Sequence, residues 1–295
     1  MKSLKKYFHH PSNSTDYRMS FRQIYQQITK PTIHFVHCIE FRNQGDMNCC
    51  PYFYFKDYFN RYPCFIHNIW DINHNVIHCQ DIVIIGGGGM LDCLDKFQDV
   101  INKLTYTCQN CISWGLGHNQ HEDRTVYWPI DYSRFKLLSV RDYNHHNQPY
   151  CPDVSCLMKG LENTYPIKRE IGLISHQDFP IDLPFENITH KEPIDTILTF
   201  IGNSDIIITN TYHCAYWAMC MNKKVILYQP FSTKFHHFKH QPVIYSGDLE
   251  NDIAAAYQYP HFLSECRQLN YSFFEHVKNI IEEQHHVNQQ QNTGI

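Results

Sequence analysis

Short runs rich in β-branched residues alternate along this chain with segments of helix length. The runs Ile82–Ile85 and Ile206–Ile208 are apolar at every position, as strands buried on both faces of a sheet must be. Parallel strands have this character because each connection between them crosses a face of the sheet, usually as a helix. We therefore predict an α/β fold with parallel sheets. The predicted strands begin at Thr32, Cys64, Asp81, Cys111, Lys136, Arg169, Asp205 and Lys223.

Helical spacing of apolar residues marks the segments between these strands. Residues 91–104 carry apolar side chains three or four positions apart, and Ile194–Ile201 repeats the pattern. A last helix is predicted from about Ser264 to Glu283. The polar tail HHVNQQQNTGI that follows it is expected to fray, because it offers no apolar face to pack.

The rhythm of strands and helices is interrupted between about residues 150 and 170, where two prolines and Gly160 occur. With 295 residues, the chain is long enough for two lobes of ordinary domain size. We predict an N-terminal Rossmann-like lobe over residues 1–150 and a C-terminal Rossmann-like lobe over residues 151–295. The terminal helix and the frayed tail are assigned to the C-terminal lobe.

Charge and hydropathy exclude several classes of protein. The 25 lysines and arginines against 29 aspartates and glutamates give a net charge of −4, so no basic excess is available for a nucleic-acid backbone. No apolar run approaches the length of a membrane span, and the start MKSLKKYFHH lacks the apolar segment of a signal peptide. We therefore expect a cytoplasmic protein without a nucleic-acid partner and without an integral membrane segment.

Cysteine and histidine, the residues that bind transition metals, are both abundant in this chain. The 13 cysteines are an odd number scattered along a large chain, which favours reduced thiols over a disulfide framework. Cys108 and Cys111 have the spacing of a redox or zinc motif, but no second pair with matching spacing accompanies them. The 21 histidines are spread too widely along the sequence to suggest one metal site. We therefore expect no metal and no cofactor.

Two glycine-rich turns follow predicted strands and are candidate ligand-binding loops. In DIVIIGGGGMLD, a buried strand enters a run of glycines before a predicted helix, an arrangement that can present backbone N–H groups to an anion. A full dinucleotide fingerprint and the Gly-Lys-Ser/Thr ending of a P-loop are both missing. The second turn is SWGLGHN, Ser113–Asn119. For both turns the alternative is a tight turn without a ligand. The four consecutive glycines are Gly86, Gly87, Gly88 and Gly89.

Polar residues stand at the ends of several predicted strands, where open α/β sheets bind their ligands. In SVRD, Arg141 stands at the end of a predicted strand. Its guanidinium suits a carboxylate or a phosphate, although pairing with Asp142 is an equal alternative. His176 ends the first strand of the second half. His213 lies in the first turn of a predicted helix, after Asn210 and its neighbours, which can cap that helix. The positive end of the helix dipole at His213 favours an incoming anion.

Read together, these segments resemble the polysaccharide pyruvyl transferase family over about residues 32–246. Thr211 departs from the arginine that many members have at that position, and Cys214 replaces the usual glycine, so one anion-binding cation of the family is missing. The matching motifs, in order along the chain, are Asn43-Gln44-Gly45-Asp46, Gly86–Gly89, Trp114–Gly117, Val140-Arg141-Asp142, Pro152-Asp153, Ile174-Ser175-His176, Asn210–His213 and Lys224-Val225.

The resemblance implies two lobes like those of the glycosyltransferase B (GT-B) fold, with the active site between them. The implied reaction uses phosphoenolpyruvate as co-substrate and places a pyruvate ketal across two hydroxyls of a sugar during synthesis of a cell-surface polysaccharide. The implied partners are therefore phosphoenolpyruvate and a glycan or lipid-linked sugar acceptor. A lipid-linked acceptor would bring the protein to the inner face of the membrane as a peripheral protein.

The resemblance also implies roles for individual residues. His213, Asp46 and Arg141 are the implied catalytic residues, with His213 as the acid that protonates the methylene carbon of the donor. Asp46 is the implied base or sugar contact, and Asn43 joins it in binding the sugar. The implied ligands of the donor's carboxylate and phosphate are Arg141, His176, Asn210, Lys234 and the amides of Gly86, Gly87, Gly88 and Gly89.

Two other functions fit the same sequence. A glycosyltransferase with the same two lobes would hold the diphosphate of a nucleotide-sugar donor with the same glycine turns and the same histidine at a helix start. A sugar-binding relative that has lost catalysis is the second alternative, and the departure at Thr211 is its main support.

Overall fold

The computed structural model describes residues 30–121, 126–127 and 129–293 of the chain. Within that part, ten strands form two five-stranded sheets, and every strand pair is parallel. Helices connect the strands, so the chain has the predicted α/β architecture with two Rossmann-like lobes. The prediction that the chain lacks a signal peptide concerns its first residues, which lie outside the described part.

The N-terminal sheet takes its strands from buried apolar runs, and every residue of its first and third strands is buried. This burial on both faces is what the apolar sequence requires. The strands are β1 (Ile33–His37), β2 (Cys64–Asn68), β3 (Ile82–Gly86), β4 (Asn110–Leu116) and β5 (Leu137–Val140). The helices of this lobe are α1 (Gln44–Asn48), α2 (Lys56–Phe59) and α3 (Asp95–Thr107), with 3-10 turns at Pro51–Phe53, His74–Val76 and Tyr132–Arg134.

The C-terminal sheet contains the remaining predicted strands and two short ones that were not predicted. The strands are β6 (Arg169–Ser175), β7 (Asn187–Thr189), β8 (Ser204–Thr209), β9 (Lys224–Leu227) and β10 (Val243–Ile244). The helices are α4 (Ile194–Gly202), α5 (Tyr212–Cys220), α6 (Leu249–Ala255) and α7 (Phe262–Thr293), with 3-10 turns at Val154–Leu157 and Thr233–Phe235. With three and two residues, β7 and β10 are too short to leave a periodic signal in the sequence.

Both sheets have the same strand order. The N-terminal order is β2-β1-β3-β4-β5, and the C-terminal order is β7-β6-β8-β9-β10. In a sheet of this order the winding direction changes between the first and third strands of the lobe, and a crevice opens at their carboxyl ends. The crevices therefore lie after β1 and β3 in one lobe and after β6 and β8 in the other. Of the segments that the sequence singled out, Asn43–Asp46, Gly86–Gly89, His176 and Asn210–His213 lie at the ends of those four strands. The second glycine turn lies at the end of β4, and Arg141 follows β5.

The helix α7 packs on both lobes, whereas we had assigned it to the C-terminal lobe alone. Phe262 and Cys266 lie in the core of the C-terminal lobe beside α5. Phe273, Val277 and Ile281 lie in the core of the N-terminal lobe, under β1, β3 and β4. The apolar face recurs every four residues far beyond the first turns, and this long stripe carries the helix from one lobe to the other.

The tail does not fray where we expected it to. The α7 helix continues beyond Glu283 to Thr293. Gln284 explains the continuation, because its Oε1 accepts a hydrogen bond from Asn110 of the N-terminal lobe at 2.8 Å. Its Nε2 donates to Asn288 Oδ1, one turn further along, at 2.8 Å. Polar side chains therefore hold this part of the helix without an apolar face.

The helix after the glycine run begins later than predicted. The predicted helical segment starts at Leu91, but α3 starts only at Asp95, with Leu94 as its N-cap. Asp92 has a left-handed backbone with φ 53°, which interrupts any helix before it. The free N–H groups of α3 are therefore not at the glycines, where we had placed them.

No helix within the described part of the chain is both long and apolar enough to cross a bilayer. All 13 cysteines lie in that part, and none of them forms a disulfide. The thiols of Cys108 and Cys111 are buried, and Cys108 Sγ donates a hydrogen bond to the Asp81 carbonyl at 2.7 Å. Burial raises the pKa of the Cys108 thiol to about 11, which makes it a packing residue rather than a nucleophile.

Asn270 of α7 is fully buried where the helix crosses between the lobes. Its Oδ1 accepts from Trp114 Nε1 at 2.9 Å, and its Nδ2 donates to the Pro152 carbonyl at 3.1 Å. Asn270→Leu leaves a buried donor and a buried acceptor without partners, at a cost of about 1–3 kcal/mol each. We expect the free energy of unfolding to fall by about 2–6 kcal/mol in denaturant titrations.

The matched control for this prediction is Asn279→Leu, on the exposed face of the same helix. Its free energy of unfolding should change by no more than about 0.5 kcal/mol. Equal effects of the two substitutions would show that Asn270 does not join the lobes in the way described.

Candidate active site

A cavity of about 970 Å³ lies between the lobes. The loops at the carboxyl ends of the N-terminal strands form one wall, and the loops after β6, β7, β8 and β9 form the other. Ligands of open α/β sheets bind at such strand ends. The predicted site residues that line the cavity are Asn43, Asp46, Gly89, Arg141, His176, Asn210, His213 and Lys234.

Asp153 is fully buried and bonds to two side chains that line this cavity, Arg141 and His213. Its Oδ2 accepts hydrogen bonds from Arg141 Nη1 and from His213 Nε2, each at 3.2 Å. Burial by itself would raise the pKa of Asp153, but His213 and Arg141 more than offset it and hold this pKa below its usual range. The ionised carboxylate therefore fixes His213 of the C-terminal lobe beside Arg141 of the N-terminal lobe.

Two glycines of the predicted turns make room for the guanidinium of Arg141. A Cβ at Gly117 would lie 2.2 Å from Arg141 Nε, and a Cβ at Gly89 would lie 3.2 Å from its Nη2. The ring of Tyr212 also covers the guanidinium, with 3.9 Å between Cζ and the ring centroid, which is a favourable cation–π distance. These two glycines thus allow the Arg141 side chain to take the position in which it lines the cavity.

The glycine run after β3 does not form the anion cradle that we expected. Gly86, Gly87 and Gly88 are not among the residues that line the cavity. The Gly87 N–H donates to the Trp114 carbonyl at 3.1 Å, and the Gly88 carbonyl accepts from Gly117 N–H at 2.9 Å. A Cβ at Gly87 would lie 2.2 Å from the Cys49 carbonyl, and φ is +69° there. Close packing against Cys49 accounts for Gly87, tight contacts with Pro51 and Trp114 account for Gly86, and a positive φ of +76° accounts for Gly88. Of the four glycines, only Gly89 lines the cavity.

Asn43 positions Asp46, and the sugar contact that the resemblance implied for Asn43 stays a prediction. Its Oδ1 accepts from the N–H groups of Gly45 and Asp46 at 3.1 and 3.4 Å, which caps α1. Its Nδ2 donates to Asp46 Oδ2 at 2.8 Å. Both ends of the Asn43 amide are thus occupied within the turn, and the turn aims the Asp46 carboxyl into the cavity.

The Asp46 carboxyl lies close to the cations of the cavity. Burial raises its pKa, and His213, Lys234 and Arg141 offset part of that rise. Gly45, next to it, touches His213 so closely that a Cβ would lie 1.9 Å from Nδ1 of the ring. The turn from the N-terminal lobe therefore packs directly against the histidine of the C-terminal lobe. A carboxyl with a raised pKa beside an imidazole is suited to proton transfer near neutral pH.

Lys234 supplies a second cation to the cavity. Its ammonium lies 5.1 Å from the ring centroids of both Phe231 and Phe235. Burial and the nearby Arg141 lower the pKa of Lys234 to about 8. Thr211 stands where an arginine was expected from the resemblance, but its buried Oγ1 shares a hydrogen bond with Thr209 Oγ1 at 3.0 Å. Lys234 therefore supplies positive charge to the cavity, although Thr211 carries none.

Asn210 and His176 form one hydrogen-bonded unit at the edge of the cavity. Asn210 Oδ1 accepts from the His176 N–H at 2.7 Å, and its Nδ2 donates to the Phe179 carbonyl at 2.7 Å. Asn210 therefore positions His176, and its role as an anion ligand stays a prediction. The His176 ring stacks on that of His190 at 4.6 Å, and burial together with Lys234 lowers the pKa of His176. His176 thus faces the cavity as a neutral imidazole at neutral pH.

Asp153 and Tyr212 are the functional residues that sequence reasoning missed. Asp153 was part of a matching motif but received no role, because an aspartate before a short helix is explained by capping alone. Its Oδ1 does cap the 3-10 turn, accepting from Ser155 N–H at 3.0 Å. Its other oxygen binds partners 12 and 60 residues away, a pairing that local sequence patterns do not reveal.

One group of residues in the described part has ligand atoms close enough together to hold a metal ion: Asp92, His118 and His145. None of the three lines the cavity.

Comparisons with known proteins give no family assignment. No family model matches the chain. No significant similarity to a curated protein was found. Among solved structures, a functionally uncharacterized protein from Klebsiella pneumoniae subsp. pneumoniae NTUH-K2044 is similar, with 14% sequence identity and a TM-score of 0.49. That match covers 76% of this chain and 95% of the other. The function is therefore inferred from the site.

The contact between Gly45 and His213 predicts a strong coupling between the two positions. Gly45→Ala places a methyl group inside the His213 ring, so we expect it to lower the free energy of unfolding by about 1–3 kcal/mol. In a His213→Ala background the clash is gone. There, Gly45→Ala should be neutral or stabilising by up to about 1 kcal/mol, because it removes a glycine from a helix. A double-mutant cycle by denaturant unfolding measures the difference. Additive effects would contradict the described contact.

Proposed function

We propose that this chain is a polysaccharide pyruvyl transferase-like enzyme that transfers pyruvate from phosphoenolpyruvate to two hydroxyls of a glycan as a ketal. One observation carries the proposal. Two cations, Arg141 and Lys234, meet an acid–base pair, Asp46 and His213, in one cavity between the lobes. The donor carries a carboxylate and a phosphate, and the reaction moves protons on both substrates, so it needs both kinds of group.

The donor's negative charges match the cations of the cavity. Asp153 engages Nη1 of Arg141, so we assign the donor's carboxylate to Nη2, which lies beside Gly89 in the cavity wall. We assign the phosphate to Lys234 and His213, because the resemblance places His213 in the donor site and Lys234 is the second cation there. In a buried site these interactions are stronger than in water. The remaining predicted ligand, His176, can donate a hydrogen bond without adding charge.

The proton balance of ketal formation assigns roles to Asp46 and His213. Two bonds form between the donor's C2 and the acceptor's hydroxyl oxygens, and the bond from C2 to the phosphate oxygen breaks. One hydroxyl proton ends on the methylene carbon, which becomes a methyl group, and the other leaves with the phosphate. Asp46 accepts the hydroxyl proton, and His213 delivers a proton to the methylene carbon. Atoms and charges balance without an oxidant or a reductant.

The acceptor fits on the N-terminal side of the cavity. At about 970 Å³ the cavity is at the upper end of the range for small-molecule sites, which leaves room for a sugar beside the donor. Trp70 and Glu40 line that side, and the indole of Trp70 is 41% exposed. An indole face can stack on a sugar ring, and a carboxylate can accept its hydroxyl groups. A glycan or lipid-linked sugar of cell-surface polysaccharide synthesis, met in the cytoplasm at the inner membrane face, completes the proposal.

Asp46→Asn separates catalysis from donor binding. We expect phosphate release from phosphoenolpyruvate, measured with a panel of glycan acceptors, to fall by about 10²–10⁴-fold, because the base is lost. Donor affinity, measured by calorimetry, should be unchanged or higher, because the substitution removes a negative charge from the cavity.

The control is Asp57→Asn, which removes an exposed carboxylate from α2 and should leave both quantities unchanged. Near-normal turnover in Asp46→Asn, or in His213→Gln that remains folded, would exclude the proposed proton transfers.

The lowered pKa of Lys234 predicts a pH dependence of donor binding. In the free protein the ammonium loses its proton as the pH rises through about 8. A bound anion favours the charged form, so binding takes up a proton and affinity falls above that pH, by up to about tenfold per pH unit. The donor keeps its charge in this range, because the second pKa of a phosphate monoester is near 6.

Lys234→Arg tests the origin of this dependence, because arginine stays protonated throughout. Calorimetric titrations with phosphoenolpyruvate from about pH 7 to about pH 9.5 should show the fall in the wild type and a flat profile in the variant. The same slope in both proteins would assign the titration to another group.

A further inference from the structure

Four histidines and one aspartate from four loops meet outside the cavity. We call Asp92, His118, His145, His146 and His237 the histidine cluster. The His145 ring centroid lies 4.1 Å from the centroids of His118, His146 and His237. Their wide spacing along the sequence, from which we expected no metal site, therefore does not keep them apart in the fold.

Three members of the histidine cluster have ligand atoms close to one another. Asp92 Oδ2 lies 2.5 Å from His118 Nδ1. One ligand atom from each of Asp92, His118 and His145 lies within 4.8 Å of the other two. With metal–ligand bonds of about 2.0–2.2 Å, the donors around a tetrahedral zinc ion stand roughly 3.3 Å apart. On binding an ion, Asp92 and His118 would therefore move apart by about 0.8 Å, and His145 would approach them by up to about 1.5 Å.

His118 has the second hydrogen bond that metal-binding histidines characteristically make. Its Nε2 lies 3.0 Å from Gln148 Oε1, which can accept the proton of that nitrogen. With Nε2 occupied in this way, Nδ1 is the nitrogen left for an ion, which would replace the proton between Nδ1 and Asp92 Oδ2. The same residue is 1% exposed, so its orientation is fixed by the surrounding protein.

The backbone around the histidine cluster is held in unusual conformations. Asp92, Asn144, His146 and Asn147 have φ values of 53°, 55°, 49° and 54°. Residues other than glycine adopt this left-handed conformation at a cost of roughly 1–2 kcal/mol each, somewhat less for asparagine and aspartate. Three of the four are asparagine or aspartate, whose short polar side chains tolerate this conformation.

We propose that the histidine cluster binds one divalent transition-metal ion of the zinc type, with Asp92, His118 and His145 as ligands. Two imidazoles and a carboxylate favour zinc and its neighbours over magnesium and calcium, which prefer oxygen ligands alone.

The ion would also stabilise the loops next to the cavity. The backbone N–H of His118 donates to Asp142 Oδ2 at 2.7 Å, next to Arg141. The backbone N–H of Tyr143 donates to the His237 carbonyl of the other lobe at 2.8 Å.

The test uses the full chain without a polyhistidine tag, stripped of metal with a chelator and then dialysed. Zn²⁺ titrated by calorimetry should bind at one tight site, and Co²⁺ should give the visible absorption of a nitrogen- and oxygen-coordinated ion. His145→Gln and Asp92→Asn should each lower the Zn²⁺ affinity of the tight site by about tenfold to 100-fold or more. Zn²⁺ should raise the Tm of the wild type and leave that of the double variant unchanged.

The control is His261→Gln, which removes an exposed histidine outside the cluster and should leave the tight site intact. Thermal unfolding of every variant in chelator shows that each is folded without metal. Either of two results would overturn the proposal: a tight site that survives both cluster substitutions, or wild-type binding no tighter than that of the double variant. Binding of Mg²⁺ as tight as that of Zn²⁺ would also contradict the assigned ligands.

Discussion

Asp153 accepts hydrogen bonds from Arg141 of the N-terminal lobe and from His213 of the C-terminal lobe, and the geometry of the cavity depends on this shared carboxylate. Removing one partner of a buried ion pair leaves an unpaired charge and costs about 3–5 kcal/mol. Asp153 is itself fixed, because its carbonyl accepts from Tyr216 OH at 2.8 Å. The side chains of Arg141 and His213 are thus held in place before any ligand arrives, which lowers the free energy needed to order the site.

The sequence motifs form one packing unit. Gly45 of the first motif leaves room for His213 of a later one, and Gly117 leaves room for Arg141. Asp142 accepts a hydrogen bond from the backbone N–H of His118, which belongs to the second glycine turn, at 2.7 Å. Each motif is unspecific when read alone, because its glycine or acid could serve many purposes. Together they form one set of contacts around Arg141 and His213.

The sheets and the strand ends could be predicted from the sequence, because buried parallel strands have a strong local signal. The positions of Arg141, His176 and His213 at the cavity followed from this, since ligands gather at strand ends. The roles of Asp153 and Asn210 could not be predicted, because they depend on partners distant in sequence. The glycine run was predicted to bind an anion for a different reason. Glycine is needed both where a backbone holds an anion and where two backbones pack closely, so the sequence does not distinguish the two. Likewise, no local sequence pattern indicates that four histidines from three loops lie close together.

The measurement that tests the proposed function most directly is thermal unfolding of the wild-type chain with phosphoenolpyruvate and, separately, with a panel of nucleotide sugars. A ligand at about 100 times its Kd stabilises the folded state by about 2.7 kcal/mol. For a chain of this size the Tm rises by roughly 2–4 °C for each kcal/mol. We predict a rise of several degrees with phosphoenolpyruvate and none with the nucleotide sugars. A rise with a nucleotide sugar and none with phosphoenolpyruvate would contradict the proposal and identify the cavity as a diphosphate site.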